Sequence, residues 1–170
     1  AAQIADTFSP ETVKAYEIGL KGTFLDRRLR LNADIYLSDY SDLQETTIIF
    51  SAAGAPVSVV RNAAGARAQG VEVNAAFQVN DWLAVSGDVA YLDSTYSDYP
   101  NGACTMAQSA LDPACSQDLS DKRRPYAPEY SGNIAATAEF PISGGVLRVE
   151  PSVYFSSSFY TAATADPLLE

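Results

Sequence analysis

The side chains that could do chemistry in this sequence are carboxylates, amides and guanidinium groups spaced two residues apart. Arg30, Asn32 and Asp34 form one such series, and Glu72 and Asn74 form another. The 170 residues contain no histidine, which removes the usual general base and the most common metal ligand. Catalysis of the Ser/His/Asp or Cys/His type is therefore excluded within this sequence, and we do not expect an enzyme.

The net charge of the sequence limits the classes of molecule that it is expected to bind. Eleven basic and 21 acidic residues give a net charge of -10. Nucleic acid is not an expected partner, because phosphate binding needs concentrated Lys and Arg. Four aspartates lie between residues 97 and 124, but their spacing does not match a calcium-binding loop. No metal site and no cofactor is predicted.

The two cysteines, Cys104 and Cys115, lie in one polar stretch of the sequence. In an oxidising compartment they would pair and close a loop, whereas in a cytosolic protein they would remain free thiols. A CxxC or zinc pattern is absent. The sequence leaves both states open, and the disulfide is favoured if the protein faces the periplasm or the cell surface.

The elements that must position these groups are β-strands, because apolar and polar residues alternate strictly. Leu29 to Tyr40 shows the pattern most clearly. A helix would scatter the same charges around its circumference. We expect about six antiparallel strands in three hairpins. They are Thr12 to Phe24, Leu29 to Phe50, Val57 to Val79, Leu83 to Tyr96, Glu129 to Phe140, and Val146 to Tyr160, which Pro151 interrupts.

The predicted connections alternate in length. Short turns follow Phe24, Val79 and Phe140, whereas longer loops are expected at Ser51 to Pro56 and Ser97 to Arg124. This asymmetry is typical of a transmembrane β-barrel, whose apolar strand face contacts lipid and whose polar face lines a lumen. Aromatic girdles would then form at both ends of the strands: Phe24, Trp82 and Phe140 near the short turns, and Tyr40, Tyr91 and Tyr96 near the long loops.

The barrel interpretation assigns positions to the candidate functional residues. The lumen-facing candidates are Arg30, Asp34, Glu72, Asn74, Asp88, Glu139 and Arg148, which could instead form a solvated wall without a specific partner. Loops on a rigid scaffold are where binding residues concentrate. Ligand recognition is therefore expected in the loops around Ile48 to Val60 and Ser97 to Arg124. The candidate ligand contacts are Tyr96, Tyr99, Arg123, Arg124 and Tyr126.

Three stretches resemble one known family. They are PETVKAYEIGLKGTFLDRRLRLNADIYLSDYSDLQ, VVRNAAGARAQGVEVNAAFQVNDWLAVSGDVAYLDSTYSDY and RRPYAPEYSGNIAATAEFP. The signatures within them are Tyr16, Glu17 and Gly19 after a Pro-Glu opening; Gly70, Val71 and Glu72 after an Asn-Ala stretch; and Pro125, Ala127 and Pro128 before a strand. The sequence resembles the C-terminal half of the barrel in TonB-dependent outer-membrane receptors.

The resemblance implies an active transporter in the outer membrane of a Gram-negative bacterium. Its barrel would have about 22 strands around an N-terminal plug domain. Its substrate would be a ferric siderophore, haem, vitamin B12 or a carbohydrate. Its partners would be membrane lipid, its own plug domain, TonB, and the small-molecule or metal-chelate ligand. The plug, the TonB box and the terminal strand are not in these residues, so residues 1–170 are expected to be a partial barrel that does not transport alone.

Two other classes remain open from the sequence. A soluble antiparallel β-sandwich acting as a binding module would turn its polar face outward and pack the apolar sets of two sheets together. An outer-membrane barrel enzyme would need a base at the lumen rim, and the lack of histidine argues against it.

Overall fold

The computed structural model of the chain describes residues 9–50, 56–112 and 114–170. Seven strands form one antiparallel sheet in the order β1-β2-β3-β4-β5-β6, with β7 also beside β5. The strands are β1 (Thr12–Phe24), β2 (Leu29–Phe50), β3 (Pro56–Asn80), β4 (Leu83–Asp98), β5 (Tyr130–Ile142), β6 (Gly145–Val149) and β7 (Ser152–Ser156). A short helix α1 (Met106–Leu111) and a 3-10 turn (Pro167–Leu169) complete the elements. The predicted all-β antiparallel fold is confirmed, and the sheet is open in this chain.

The strand register aligns side chains of the same character across the whole sheet. One row of directly paired residues contains Ile18, Ile35, Val71, Tyr91 and Tyr130. Because side chains alternate along a strand, the next row points to the other face. There Asp34 lies opposite Glu72. The sheet therefore has one continuous apolar face and one continuous polar face.

The apolar face is not covered by any other sheet in the part of the chain that the structure describes. Ile18 is 76% exposed, Val153 is 67% exposed and Ile134 is 53% exposed. A β-sandwich would bury these side chains against a facing sheet about 10 Å away. Instead, Leu31 and Val73 lie on the same face of neighbouring strands in a single sheet. The arrangement expected of a sandwich is not what the chain adopts.

The apolar part of this face forms a band of limited height along the strands, which we call the apolar band. On β1 it runs from Tyr16 to Phe24, about 26 Å along the strand at about 3.3 Å per residue. Above Tyr16 the same face becomes polar, and the Arg67 Nε lies 2.7 Å from a carboxylate oxygen of Asp39. At the opposite end, the Trp82 and Phe140 rings lie 5.5 Å apart. A band of this height bounded by polar and aromatic residues is typical of strands that cross a bilayer.

The predicted sixth strand is divided in two. Ala138 pairs with Val149 in β6 and Ala135 pairs with Ser152 in β7, so the register continues unchanged across the gap. The Ala136 N–H donates to the Pro151 carbonyl at 3.0 Å, but proline has no N–H to return the bond. Strand β7 ends at Ser156 rather than at the expected Tyr160.

The predicted loop at Ser51 to Pro56 is corrected only at its last residue. Residues 51–55 lie outside the described residues, and Pro56 already pairs with Phe50. The asymmetry between the two ends of the sheet comes partly from β2 and β3 themselves, which have 22 and 25 residues and extend beyond their neighbours. None of the described helices is long and apolar enough to cross a membrane.

Candidate functional site in the loop cluster

The main buried cluster of the described residues lies at the long-loop end of the sheet. We call it the loop core, and it consists of Leu43, Ala64, Ala66, Tyr96, Tyr99 and Leu119, with Tyr40 and Ala165 packed against it. Tyr40, Ala66 and Tyr96 are cross-strand neighbours on the polar face. The loop between β4 and β5 therefore folds over the polar face, not over the apolar one.

A β-bulge brings Leu43 into the loop core. Between the Tyr40–Ala66 pair and the Leu43–Ala64 pair, two residues of β2 oppose one residue of β3. The bulge residue Asp42 has a φ of 56°, in the left-handed region that aspartate tolerates better than most residues. Without the extra residue, strict alternation would place Leu43 on the opposite face from Tyr40. Sequence periodicity could not predict this bulge, because its only signal is an interruption of the pattern.

The Asn62 side chain ties the bulge to the segment that precedes β1. Its amide nitrogen donates to the carbonyl oxygens of Asp42 at 2.6 Å and Ser9 at 2.9 Å, and its oxygen accepts from the Ser9 N–H at 2.7 Å. The Glu11 carboxylate accepts from the Gln44 N–H at 2.5 Å. Strands β2 and β3 and the segment before β1 are thus cross-linked directly beside the loop core.

Two of the five predicted ligand contacts are buried. Tyr96 is 0% exposed and Tyr99 is 3% exposed, with ring centroids 4.9 Å apart. The Tyr96 hydroxyl donates to a Glu45 carboxylate oxygen at 3.0 Å. Burial, reinforced by the negative charge of Glu45, raises the pKa of Tyr96 and of Tyr99. The expectation that these two residues face a ligand is corrected: they support the loop. Tyr40 and Tyr96 also lie on the polar face and not in an outer aromatic girdle.

Arg124 connects the loop to the sheet. Its guanidinium carbon lies 5.8 Å from the Tyr40 ring centroid and 5.9 Å from the Tyr96 ring centroid. These distances are within the range of cation–π attraction. The Arg124 N–H donates to the Ser94 carbonyl at 3.0 Å, which extends the pairing along β4. Half-buried Arg124 is therefore mainly a packing residue of the loop core.

Arg123 and Tyr126 are the predicted contacts that remain accessible. Arg123 Nη1 lies 3.1 Å from a Glu129 carboxylate oxygen, and both side chains are about one-third exposed. Tyr126 is 70% exposed, and its ring centroid lies 6.3 Å from that of Phe159. The structure brings these side chains to the outer surface of the loop but does not assemble all five candidates into one pocket.

Cys104 and Cys115 form a disulfide, with their Cα atoms 6.2 Å apart. The disulfide closes a loop that contains helix α1. The Thr105 Oγ1 accepts from the Gln108 N–H at 3.2 Å and the Gln108 Oε1 accepts from the Thr105 N–H at 2.8 Å, which together form a capping box. The sequence pattern predicted a long loop here. The Thr-x-x-Gln spacing was the signal that could have indicated the helix.

The seven predicted lumen residues all lie on the polar face. Asp34 is paired with Glu72, and Asn74 is paired with Asp88. Arg148 lies 3.5 Å from Glu139, its cross-strand partner. Arg30 occupies the same face, two positions before Asn32 on β2. The strand register therefore collects these residues, distant in sequence, on one wall.

A shallow depression on the polar face lies below the loop core. Its lining includes Glu17, Asp34, Tyr36 and Glu72, with Tyr40 at its upper edge. Like charges directly across a strand pair are unfavourable, so Asp34 and Glu72 keep this wall hydrated. Among the residues that the structure describes, no three His, Cys, Asp or Glu side chains are arranged to hold a metal ion. The lining of the depression offers hydrogen-bonding and charged groups.

Comparison with known proteins identifies the same architecture. The family model described as "TonB dependent receptor-like, beta-barrel" matches residues 1–167. The ferric yersiniabactin uptake receptor FyuA of Yersinia pestis aligns with a TM-score of 0.65 and 17% identity, covering 91% of this chain and 20% of that one. The siderophore receptor PiuA of Acinetobacter baumannii aligns with a TM-score of 0.61 and 20% identity, covering 89% and 19%. The chain thus spans about a fifth of the length of these similar proteins.

Proposed function

Because the chain belongs to the TonB-dependent receptor β-barrel family, we propose that it forms part of the wall of an outer-membrane active transporter for a scarce nutrient. The observation that carries the proposal is the uncovered apolar face of the sheet, with Ile18 76% exposed opposite a charged wall. In water such a face would drive aggregation, whereas in a bilayer it is the favourable lipid contact.

The proposed substrate class is a ferric siderophore. Support comes from the two similar structures, which are a ferric yersiniabactin uptake receptor and a siderophore receptor. Haem, vitamin B12 and carbohydrates are the other substrates to test. The ligand would approach the loop surface that carries Arg123 and Tyr126, since these side chains are accessible and lie on a rigid support.

The remaining proposed partners are further barrel strands, the plug domain and TonB. Its unpaired edges, β1 on one side and β6 with β7 on the other, require further strands to close a barrel. In the proposed whole protein of about 22 strands, residues 1–170 would be a partial barrel. The polar face with Asp34, Glu72 and Arg148 would face the plug domain, and TonB would bind outside these residues.

The alternative functions are less well supported. A sandwich-type binding module would need a second sheet over the apolar face, and the described residues form one sheet only. A barrel enzyme would need a general base, and the sequence has no histidine. The family generally comprises receptors and transporters.

An uptake experiment tests the proposal. Cells that lack the full-length gene and cells that carry it are grown under iron limitation and supplied with radioactive iron as catecholate, hydroxamate or phenolate chelates. Radioactive cobalamin, haem and oligosaccharides are supplied in parallel. We expect the gene to restore uptake of at least one ferric chelate, and a protonophore to abolish that uptake.

Two outcomes would contradict parts of the proposal. Restoration of cobalamin, haem or oligosaccharide uptake alone would keep the transporter and reject the siderophore class. Equal accumulation of every probe with and without the gene, although the protein is present in the outer membrane by fractionation and immunoblotting, would reject the nutrient transporter itself.

A further inference from the structure

The Gln117 side chain lies where two loops meet. Its Nε2 donates to the Ala103 carbonyl at 2.7 Å and to the Thr164 carbonyl at 3.0 Å. Ala103 precedes the disulfide residue Cys104, whereas Thr164 belongs to the segment 157–170 that follows β7, which we call the C-terminal segment. A carboxamide nitrogen carries two hydrogens, so both donors of Gln117 are used to join two separate parts of the chain.

The position of Gln117 is fixed by its own backbone. Gly102 and Gln117 exchange backbone hydrogen bonds in both directions, at 2.8 Å and 3.0 Å. A Cβ added at Gly102 would clash with the Leu119 side chain, so the backbone lies close against the loop core. Cys104 and Cys115 close the loop just beyond this pair. The disulfide and the two backbone bonds together hold the Gln117 carboxamide toward Thr164.

The C-terminal segment is ordered locally and attached at a few points. The Thr161 N–H donates to the Leu169 carbonyl at 2.8 Å, and the buried Asp166 caps the final turn by accepting from the Leu168 N–H at 3.0 Å. Ala165 packs against the loop core. The Tyr126 N–H donates to the Tyr160 carbonyl at 2.8 Å. The segment is also held near its start, where Ser157 bonds to Glu129 and Tyr130 and the Phe159 ring lies near Tyr126. Beyond Tyr160, among the described residues, the bond from Gln117 is the hydrogen bond that joins the segment to the rest of the chain.

We propose that Gln117 is a coupling residue that makes the disulfide-closed loop and the C-terminal segment move as one unit above the polar face. The disulfide acts through Gln117, because it fixes the loop from which the carboxamide reaches Thr164. A displacement of either loop is transmitted to the other, so the loops do not open independently. The coupling exists in the protein without ligand and does not depend on which nutrient is carried.

Hydrogen–deuterium exchange of the full chain in lipid vesicles, read by mass spectrometry, tests the coupling. Gln117→Glu keeps the side-chain shape but removes both N–H donors. We expect the Thr161 and Leu169 amides of this variant to exchange about five- to tenfold faster, as loss of a net hydrogen bond predicts for local opening. Cys104→Ser/Cys115→Ser should raise exchange at the same amides.

Gln108→Ala is the matched control. Gln108 lies in the same disulfide-closed loop and caps helix α1, but its side chain bonds only to Thr105. This variant should speed exchange of the Ser109 and Asp112 amides, whose N–H groups bond within α1, and leave Thr161 and Leu169 unchanged.

The combined variant shows whether the disulfide acts through Gln117. Adding Gln117→Glu to the double serine variant should produce little further increase at Thr161 and Leu169, because the two changes break one connection. Three results would overturn the proposal: unchanged exchange in Gln117→Glu, an equal effect of Gln108→Ala at Thr161, or fully additive effects of the disulfide and Gln117 changes.

Discussion

Tyr96 is fully buried although it lies near the end of a strand whose other face is exposed. Its ring packs on Tyr99 and under Arg124, and its hydroxyl finds an acceptor in Glu45. A buried hydroxyl without a partner would be costly, so the Glu45 bond is what makes this burial possible. A residue that looks like a ligand contact in the sequence is thus a support for the loop.

The phenol of Tyr96 should not ionise with the exposed tyrosines. Burial, aided by the charge of Glu45, raises its pKa above the unfolded value of about 10. Its contribution to stability is complete below about pH 10 and is lost as the pH rises toward the folded pKa. In a near-ultraviolet absorbance titration, the wild type and Tyr96→Phe should form the same amount of phenolate near pH 10. If the variant forms one phenolate fewer than the wild type near pH 10, then Tyr96 ionises there and its phenol is not buried.

At the level of elements, the short turns and the strand alternation were well predicted. The bounds of β1 match the expected Thr12 to Phe24, and β2 and β4 begin at the expected Leu29 and Leu83. These features depend on residues that are close in sequence, so the sequence alone is enough to predict them. The bulge at Asp42 and the helix α1 were missed, because the first depends on packing of Leu43 and the second on a capping box inside a loop.

The gap between β6 and β7 should close when residue 151 is replaced by one that can donate a backbone hydrogen bond. In Pro151→Ala, the new N–H faces the Ala136 carbonyl, because Ala136 already donates to residue 151. We expect the residue 151 amide to be protected from hydrogen exchange in the full-length protein in lipid vesicles, with a stability gain of at most about 1 kcal/mol. The measurement is hydrogen exchange followed by mass spectrometry with fragmentation to single residues.

Pro141→Ala is the control for this prediction. Odd-numbered residues of β5 donate toward β4, as Glu139 does to the Trp82 carbonyl at 2.9 Å, and β4 begins only at Leu83. The new amide at position 141 therefore faces away from β6 and should exchange freely. If the amide at position 151 in Pro151→Ala exchanges as fast as the amide at position 141 in Pro141→Ala, Pro151 is not the cause of the gap.

At the scale of the whole molecule, the sheet exposes the apolar face that a soluble protein would bury. Val73 lies in the middle of the apolar band, and its chain neighbour Asn74 lies on the polar face, 3.5 Å from the Asn32 amide. The two positions differ in environment only because successive strand residues point to opposite sides. They offer a direct test of which side faces lipid.

Arginine should be tolerated at one of these positions and not at the other. Val73→Arg should lower the free energy of unfolding of the full-length protein by about 2–4 kcal/mol, the cost of a charge near the bilayer midplane. Asn74→Arg should cost less than about 1 kcal/mol, since the lumen side is hydrated. Denaturant titration in lipid vesicles measures both. A larger cost at Asn74 than at Val73 would mean that the faces are assigned the wrong way round.

The sequence by itself determined the two-faced strands, the short turns and the membership of Arg30, Asp34, Glu72 and the other charged residues in one wall. A period of two is a local property, and the antiparallel pairing of hairpins carries it from strand to strand. Only the tertiary structure decided what the β4–β5 loop does. It buried Tyr96 and Tyr99, stacked Arg124 on Tyr40, and brought Gln117 to Thr164. The Gln117–Thr164 contact joins residues 47 positions apart, and the Arg124–Tyr40 contact joins residues still more distant in sequence. Neither pair shares a periodicity, so no local sequence pattern predicts these contacts.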